Sequence, residues 1–260
     1  MENNLKCWGD TGAGQAPRNP GPTGHYKAVA GGWKHTCAIL SDDSLAPGAI
    51  KCWGQNTDGR APVNVAGHYK AVAAGLLHTC AIFSDDTLDN NLTCWGDNDT
   101  DQAPDNITGQ YKAVAAGRTH TCAILSGDTV ANNLKCWGLD TDGQAPRNPT
   151  GHYKAVTTRS SHTCAILVSS GPGDNLRCWG LYKHSRDNVQ PVPDDIKGIY
   201  HAVAAGDKHT VAIRTSKGFF QTEQTVVGSD GKRYQVLMAP DADNKFRFLV
   251  PEDSYRPVSQ

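Results

Sequence analysis

Residues 111–138 read YKAVAAGRTHTCAILSGDTVANNLKCWG, and this stretch decides the fold. HTCAI alternates, with His120, Cys122 and Ile124 on one face and Thr121 and Ala123 on the other. LKCWG alternates in the same way, which is the period of a strand. The segment between them, SGDTVANN, is rich in Ser, Gly, Asp and Asn, as hairpin loops are. YKAVA supplies a third strand, short and alanine-rich, and Gly117 permits a tight bend into HTCAI. No helical period is present. The stretch predicts one small antiparallel sheet.

Outward from it, the same strings recur in a fixed order. Cys-Trp-Gly stands at 7–9, 52–54, 94–96, 136–138 and 178–180, at intervals of 45, 42, 42 and 42. HTCAI stands at 35–39, 78–82, 120–124 and 162–166, and returns as HTVAI at 209–213. YKAVA begins at 26, 69 and 111, with YKAVT at 153 and YHAVA at 200. Ala-Pro follows Gln or Arg at 16, 61, 103 and 145, where proline marks a loop or a sheet edge. A unit of about 42 residues made only of strands implies radial packing, a β-propeller.

These motifs resemble the regulator of chromosome condensation repeat, whose signature runs Gly-x-x-His-Thr, an apolar strand, a hairpin, then Trp-Gly and often Gly-Gln. The matches are Gly32/His35/Thr36, Gly75/His78/Thr79, Gly117/His120/Thr121 and Gly206/His209/Thr210. Trp8, Trp53, Trp95, Trp137 and Trp179 each precede glycine, and Gly-Gln stands at 14–15 and 143–144. The resemblance implies an all-β propeller, in a family whose members usually have seven blades. It also implies several functions, since fold alone does not fix one. Some relatives are nucleotide exchange factors for small GTPases, and one bacterial relative inhibits β-lactamases. The exchange factors carry a wedge-like insertion that units this uniform do not hold.

Seven units of about 42 exceed the 260 residues here. The chain opens on an LKCWG strand and its last repeated strand is HTVAI, complementary halves of one hairpin. Pairing 5–9 with 209–213 predicts a five-bladed ring over 1–213, closed by a terminal clasp that sets Cys7 opposite Val211. An incomplete ring of a longer parent, and a six-bladed form using the tail, are the competing closures. Residues 214–260 leave the repeat. Alternation at Tyr234/Val236/Met238 and Phe246/Phe248/Val250, with turn signals at 228–231 and 241–244, predicts a C-terminal β-hairpin extension packed on or completing the propeller.

The cysteines fall into pairs, Cys37 with Cys52, Cys80 with Cys94, Cys122 with Cys136 and Cys164 with Cys178, leaving Cys7 unpaired. One reading is a disulfide per blade, each closing a loop of about 15 residues and contributing roughly 3 kcal/mol. The other is a buried thiol acting as a small apolar side chain, which Val211 in the same column supports. Paired cysteines favour an extracytoplasmic or secreted setting, although MENNLKCWGD has neither the basic nor the apolar region of a signal peptide.

Net charge is −1, so no global field recruits nucleic acid or an anionic membrane. No apolar run approaches the length of a membrane span. No P-loop, nucleophile elbow or HExxH motif is present, and we expect no catalytic residue, no cofactor and no metal. His-x-Cys pairs carry zinc-type ligands, yet a site in every blade would be unusual. The repeated histidines at 35, 78, 120, 162 and 209 suit packing, each imidazole bonded to backbone, because an active site needs a single constellation. Each CWG tryptophan is filler between blades. Asp97-Asn98-Asp99-Thr100-Asp101 looks like half a calcium loop but lacks the central Gly and terminal Glu, so Asx-turn chemistry accounts for it.

The units differ most between the Gly and the His. Those pairs are Trp33-Lys34, Leu76-Leu77, Arg118-Thr119, Ser160-Ser161 and Asp207-Lys208. A ring gathers equivalent positions on one face, and Trp, Leu and Arg are common anchors of interfaces. Relaxed selection at exposed loops would give the same variation. The sequence therefore predicts a monomeric, non-catalytic scaffold whose rim binds a protein, with a GTPase exchange factor, a glycan-binding adhesin or an enzyme inhibitor as alternatives.

Overall fold

The computed structural model describes residues 4–17, 24–41, 48–127, 131–168, 173–183, 189–193, 196–215, 220–227, 233–238 and 247–251. Every regular element among them is a strand. The first sheet holds β1 (Tyr26–Gly31), β2 (His35–Leu40), β3 (Ile50–Gly54) and β4 (Asn64–Val65). The second holds β5 (Tyr69–Ala74), β6 (His78–Phe83) and β7 (Leu92–Gly96), and the third β8 (Tyr111–Ala116), β9 (His120–Leu125) and β10 (Leu134–Gly138). The fourth comprises β11 (Tyr153–Arg159), β12 (His162–Leu167), β13 (Leu176–Lys183) and β14 (Val189–Pro191). The fifth has only β15 (Tyr200–Ala205) and β16 (Thr210–Arg214). All pair antiparallel in chain order, as propeller blades do.

Alternation along HTCAI assigns its side chains to two faces without saying which is covered. In the structure His78, Thr79, Cys80, Ala81 and Ile82 are all buried. The sheet lies between two others, so both of its faces are covered. Three CWG tryptophans pack against the core of the sheet before their own: Trp95 on the cluster of Cys37, Ile39 and Ile50, Trp137 on that of Cys80, Ile82 and Leu92, and Trp179 on that of Cys122, Ile124 and Leu134. Trp8, expected as filler, is exposed because no described sheet precedes it. The glycine after it sits at positive φ, +105° at Gly96, where a Cβ would stand 2.8 Å from the His78 Cα. Only glycine fits there.

Polar links join the sheets. His78 Nε2 lies 2.8 Å from Thr121 Oγ1 of the next sheet, and that hydroxyl donates to the Gln102 carbonyl at 2.8 Å. The same link runs from His35 to Thr79 to the Arg60 carbonyl, and from His120 to Thr163 to the Gln144 carbonyl. His162 meets Thr210 at 3.0 Å. In the first three links the hydroxyl's single proton is committed to a carbonyl, so the imidazole must donate from Nε2. The tautomer is thereby fixed, and Nδ1 of all four rings is buried without a partner. The expected backbone acceptor of these imidazoles is replaced by a threonine, because the neighbouring sheet brings its Thr column opposite the His column.

Burial holds His35, His78 and His162 down to about 4 and His120 to about 3, with Arg60 adding to the effect at His35 and neighbouring histidines at His78 and His120. The rings of His35, His78 and His120 rest on the glycine of the Gly-x-x-His motif. A Cβ on Gly75 would stand 2.5 Å from the Gly117 carbonyl oxygen and 2.8 Å from His78 Nδ1. We expect Gly75→Ala to cost about 1–3 kcal/mol of stability, measured as a lower urea midpoint. An unchanged midpoint would mean the sheets can separate there without loss.

The disulfide reading holds. Cys37–Cys52, Cys80–Cys94, Cys122–Cys136 and Cys164–Cys178 each bridge directly opposed residues of one hairpin, and Cys7 is free. Val211, which had favoured apolar filler, lies on β16, whose one pairing partner among the described residues is β15, with Ala204 opposite it, so no cysteine strand faces it.

The expected clasp is not formed. Residues 5–9 make no strand, β16 pairs only with β15 among the described residues, and Val211 and Ile213 are 58% exposed. Residues 4–17 sit instead ahead of the first sheet. Asn4 and Tyr26 exchange two hydrogen bonds of 2.9 Å, and the Gln15 carbonyl accepts from Thr36 and Trp53. Asn4 and Gln15 thus tie this segment to the first sheet, the way Asn91 and Gln102 tie the second sheet to the third, and leave it unpaired with β16. The tail forms a three-stranded antiparallel sheet of β17 (Phe220–Val227), β18 (Arg233–Met238) and β19 (Arg247–Pro251), one strand more than a hairpin. Its turn signals at 228–231 and 241–244 reach outside the described residues, and its packing on the propeller remains a proposal.

Candidate functional site

The ten rim candidates divide into two sets. The first residue of each pair, Trp33, Leu76, Arg118, Ser160 and Asp207, lines one cavity of about 370 Å³, which Gly117 and Arg159 also border. The second residues, Lys34, Leu77, Thr119, Ser161 and Lys208, do not line it. In four units the second residue has a structural duty. Carbonyls of Lys34, Leu77, Thr119 and Ser161 accept from Gln55, Asp97, Leu139 and Leu181 at 2.7–2.9 Å, tying down the chain just after each Trp-Gly. Lys34 Nζ also lies 4.4 Å from the Trp33 ring centroid, a cation–π contact.

Local geometry explains why the first positions converge. Inner strands β1, β5, β8, β11 and β15 each end at a turn that faces the common axis. Turn touches turn: Trp33 N donates to the Gly75 carbonyl at 3.2 Å, Leu76 N to Gly117 at 3.1 Å, and Arg118 N to Ser160 at 3.2 Å. The backbone is thus committed to its neighbours, and the side chains take no part in these links. Trp33 is 52% exposed, and Arg118 and Asp207 are exposed.

One participant escaped the sequence reading. Arg159 holds the position that glycine occupies at 32, 75, 117 and 206. Elsewhere a Cβ would strike the His ring. Here β11 continues one residue further, pairs Arg159 with His162, and turns through Ser160 at φ +48°. The guanidinium borders the cavity and reaches the Gly31 carbonyl at 3.4 Å. The missing glycine in the fourth unit was the signal that would have found it.

The remaining candidates serve structure. Asp97 accepts from Gln102 and Asp99 N, Asn98 from Ala103 N, and Gln102 from Thr100, which closes the acidic loop on itself. Asp140 and Gln144 repeat the pattern one unit later. Three asparagines act as clamps, a role the sequence did not suggest. Asn91, Asn133 and Asn175 each donate to the carbonyl of Tyr111, Tyr153 or Tyr200 and accept from its N–H, at 2.7–3.0 Å.

A family model described as "Regulator of chromosome condensation (RCC1) repeat" matches residues 26–60 and 111–144. No curated protein sequence matches the chain. Among solved structures, the chain is similar to the CRINKLY WD40 ectodomain of the Arabidopsis thaliana receptor kinase ACR4. That similarity is 24% identity and a TM-score of 0.59, over 81% of this chain and 68% of that one. The entire ectodomain of the Physcomitrella patens receptor kinase CR4 gives 20% identity and 0.61, over 87% of this chain; the chain spans 58% of that ectodomain. Human WBSCR16 gives 13% identity and 0.56, over 96% and 74%. At these identities the likeness is one of fold.

Proposed function

We propose that this chain, which carries regulator of chromosome condensation repeats folded as propeller blades, is a non-catalytic scaffold that binds a protein through the central cavity. A single observation carries the reading. All five units keep the same His and Thr, and the first four the same Cys and Trp, yet the one residue each sends to the cavity is Trp, Leu, Arg, Ser or Asp. Packing does not require that diversity. Five unlike side chains around one opening give an asymmetric surface on a nearly symmetric frame, which is what recognition of a particular partner needs. Titratable groups held far from their usual values are the buried imidazoles of the sheet links, each committed to a threonine hydroxyl between two sheets, and their repetition at every junction supports a structural reading.

The bonded cysteines favour a partner met outside a reducing cytosol. Affinity capture with the full chain and with Trp33→Ala tests the proposal. Trp33 is half exposed, so its truncation should leave thermal stability within about 0.5 kcal/mol. A tryptophan anchor is worth at least about 2 kcal/mol, so retention should drop more than about tenfold. Equal retention by the two proteins would remove the cavity from the interface.

A further inference from the structure

The cavity carries a second kind of information, its charge. Two guanidinium groups, Arg118 and Arg159, border it from adjacent sheets whose turns are joined by the 3.2 Å hydrogen bond from Arg118 N to the Ser160 carbonyl. Neither is in an ion pair with a described residue, and Asp207 lines the same cavity without pairing with either. Trp33 and Leu76 form the apolar side of the opening. Arg159 stands where the other units keep glycine, and accommodating it takes a non-glycine residue at positive φ, Ser160. One guanidinium N–H of Arg159 reaches the Gly31 carbonyl at 3.4 Å, and the remaining donors of its fork have no partner among the described residues.

We infer that the cavity recognises a carboxylate: an acidic side chain on an extended segment of a protein partner, held by Arg118 and Arg159, with a neighbouring apolar residue against Trp33 and Leu76. Guanidinium forks match a carboxylate in geometry and charge. Two unpaired arginines beside an exposed tryptophan are groups that a partner can engage without first breaking an internal ion pair. The inference rests on the reading of the cavity as a protein interface and adds the chemistry of what enters it.

The test uses the full oxidised chain and a phage-displayed library of random linear peptides. Selected peptides should carry Asp or Glu at a fixed place beside an apolar residue. A synthetic copy should lose at least about tenfold in affinity when that residue becomes Asn or Gln, and equally against Arg118→Ala or Arg159→Gly. Arg159→Gly restores the residue of the other units, so it is expected to fold, and an unchanged melting temperature checks that it does. Asp207→Asn should tighten binding severalfold by removing a like charge. Peptides that depend on Trp33 but bind Arg159→Gly and Arg118→Ala as well as the parent would overturn the carboxylate and leave the interface standing. Failure to enrich any peptide over Trp33→Ala would overturn both.

Discussion

Reduction of the four disulfides is expected to unfold the protein near room temperature, or to lower its melting temperature by at least about 20 °C. Each bond closes a loop of 14 or 15 residues, so in the chain-entropy model each restrains the unfolded chain by roughly 3 kcal/mol. Four together approach the whole stability of an ordinary domain. Cys37, Cys80, Cys122 and Cys164 have no exposed surface, so reductant should act only through local opening, and the bonds should resist mild thiol in the native state. Intact mass after alkylation should report one reactive thiol, Cys7, before reduction and nine after it in denaturant. Thermal melts of the oxidised and fully reduced chain then measure the effect. The double variant Cys122→Ala/Cys136→Ala should show about a quarter of it. Superimposable melts would mean the sulfurs serve as apolar filler and nothing more.

Acid should act through the histidine links. The folded imidazoles of His35, His78, His120 and His162 titrate at about 3 to 4, whereas an unfolded histidine titrates near 6.5. Between those values the unfolded chain binds protons that the folded chain refuses. Stability is therefore complete above about pH 6.5, falls as pH falls, and stops falling on this account below about pH 3 to 4. Each group contributes at most about 1.4 kcal/mol per pH unit, so four can cost on the order of several kcal/mol by pH 5. The cause is structural: in His35, His78 and His120 an added proton would lie on Nδ1, which faces the glycine turn with no acceptor among the described residues. Melting temperature at pH 7.5 and pH 5 measures the loss, and the four Cε1–H resonances should not titrate above about pH 5. A constant melting temperature over that range would show that the rings accept a proton in place.

Much of the frame was legible because repetition averages out accident. One alternating pentapeptide is ambiguous; the same pentapeptide in register with Cys-Trp-Gly several times over is not. The disulfide pairs were legible for the same reason, since constant separation within a hairpin puts the two columns opposite each other. What periodicity could not convey was the environment across the gap between sheets. A period of two looks the same whether one face is wet or both are dry, so the burial of Thr79 and Ala81 had to come from the structure. The threonine acceptor of each histidine belongs to the following unit, more than 40 residues away, and no local pattern links them. The Asn–Tyr clamps hid in segments that read simply as polar loops. At the rim, sequence identified the variable pairs but could not tell which member faces the axis, because that depends on the direction of the turn.

The histidine link has a direction. Every complete unit offers the same donor to the unit after it and the same acceptor to the unit before it. A junction of this kind does not depend on which two units meet. A unit inserted, removed or exchanged would meet the same junction, and each new boundary would be satisfied as the old one was. Variation then collects at the cavity-facing position, which the junction does not use. The frame behaves as a lineage of interchangeable modules, and the specificity of its opening can change by shuffling as readily as by point substitution.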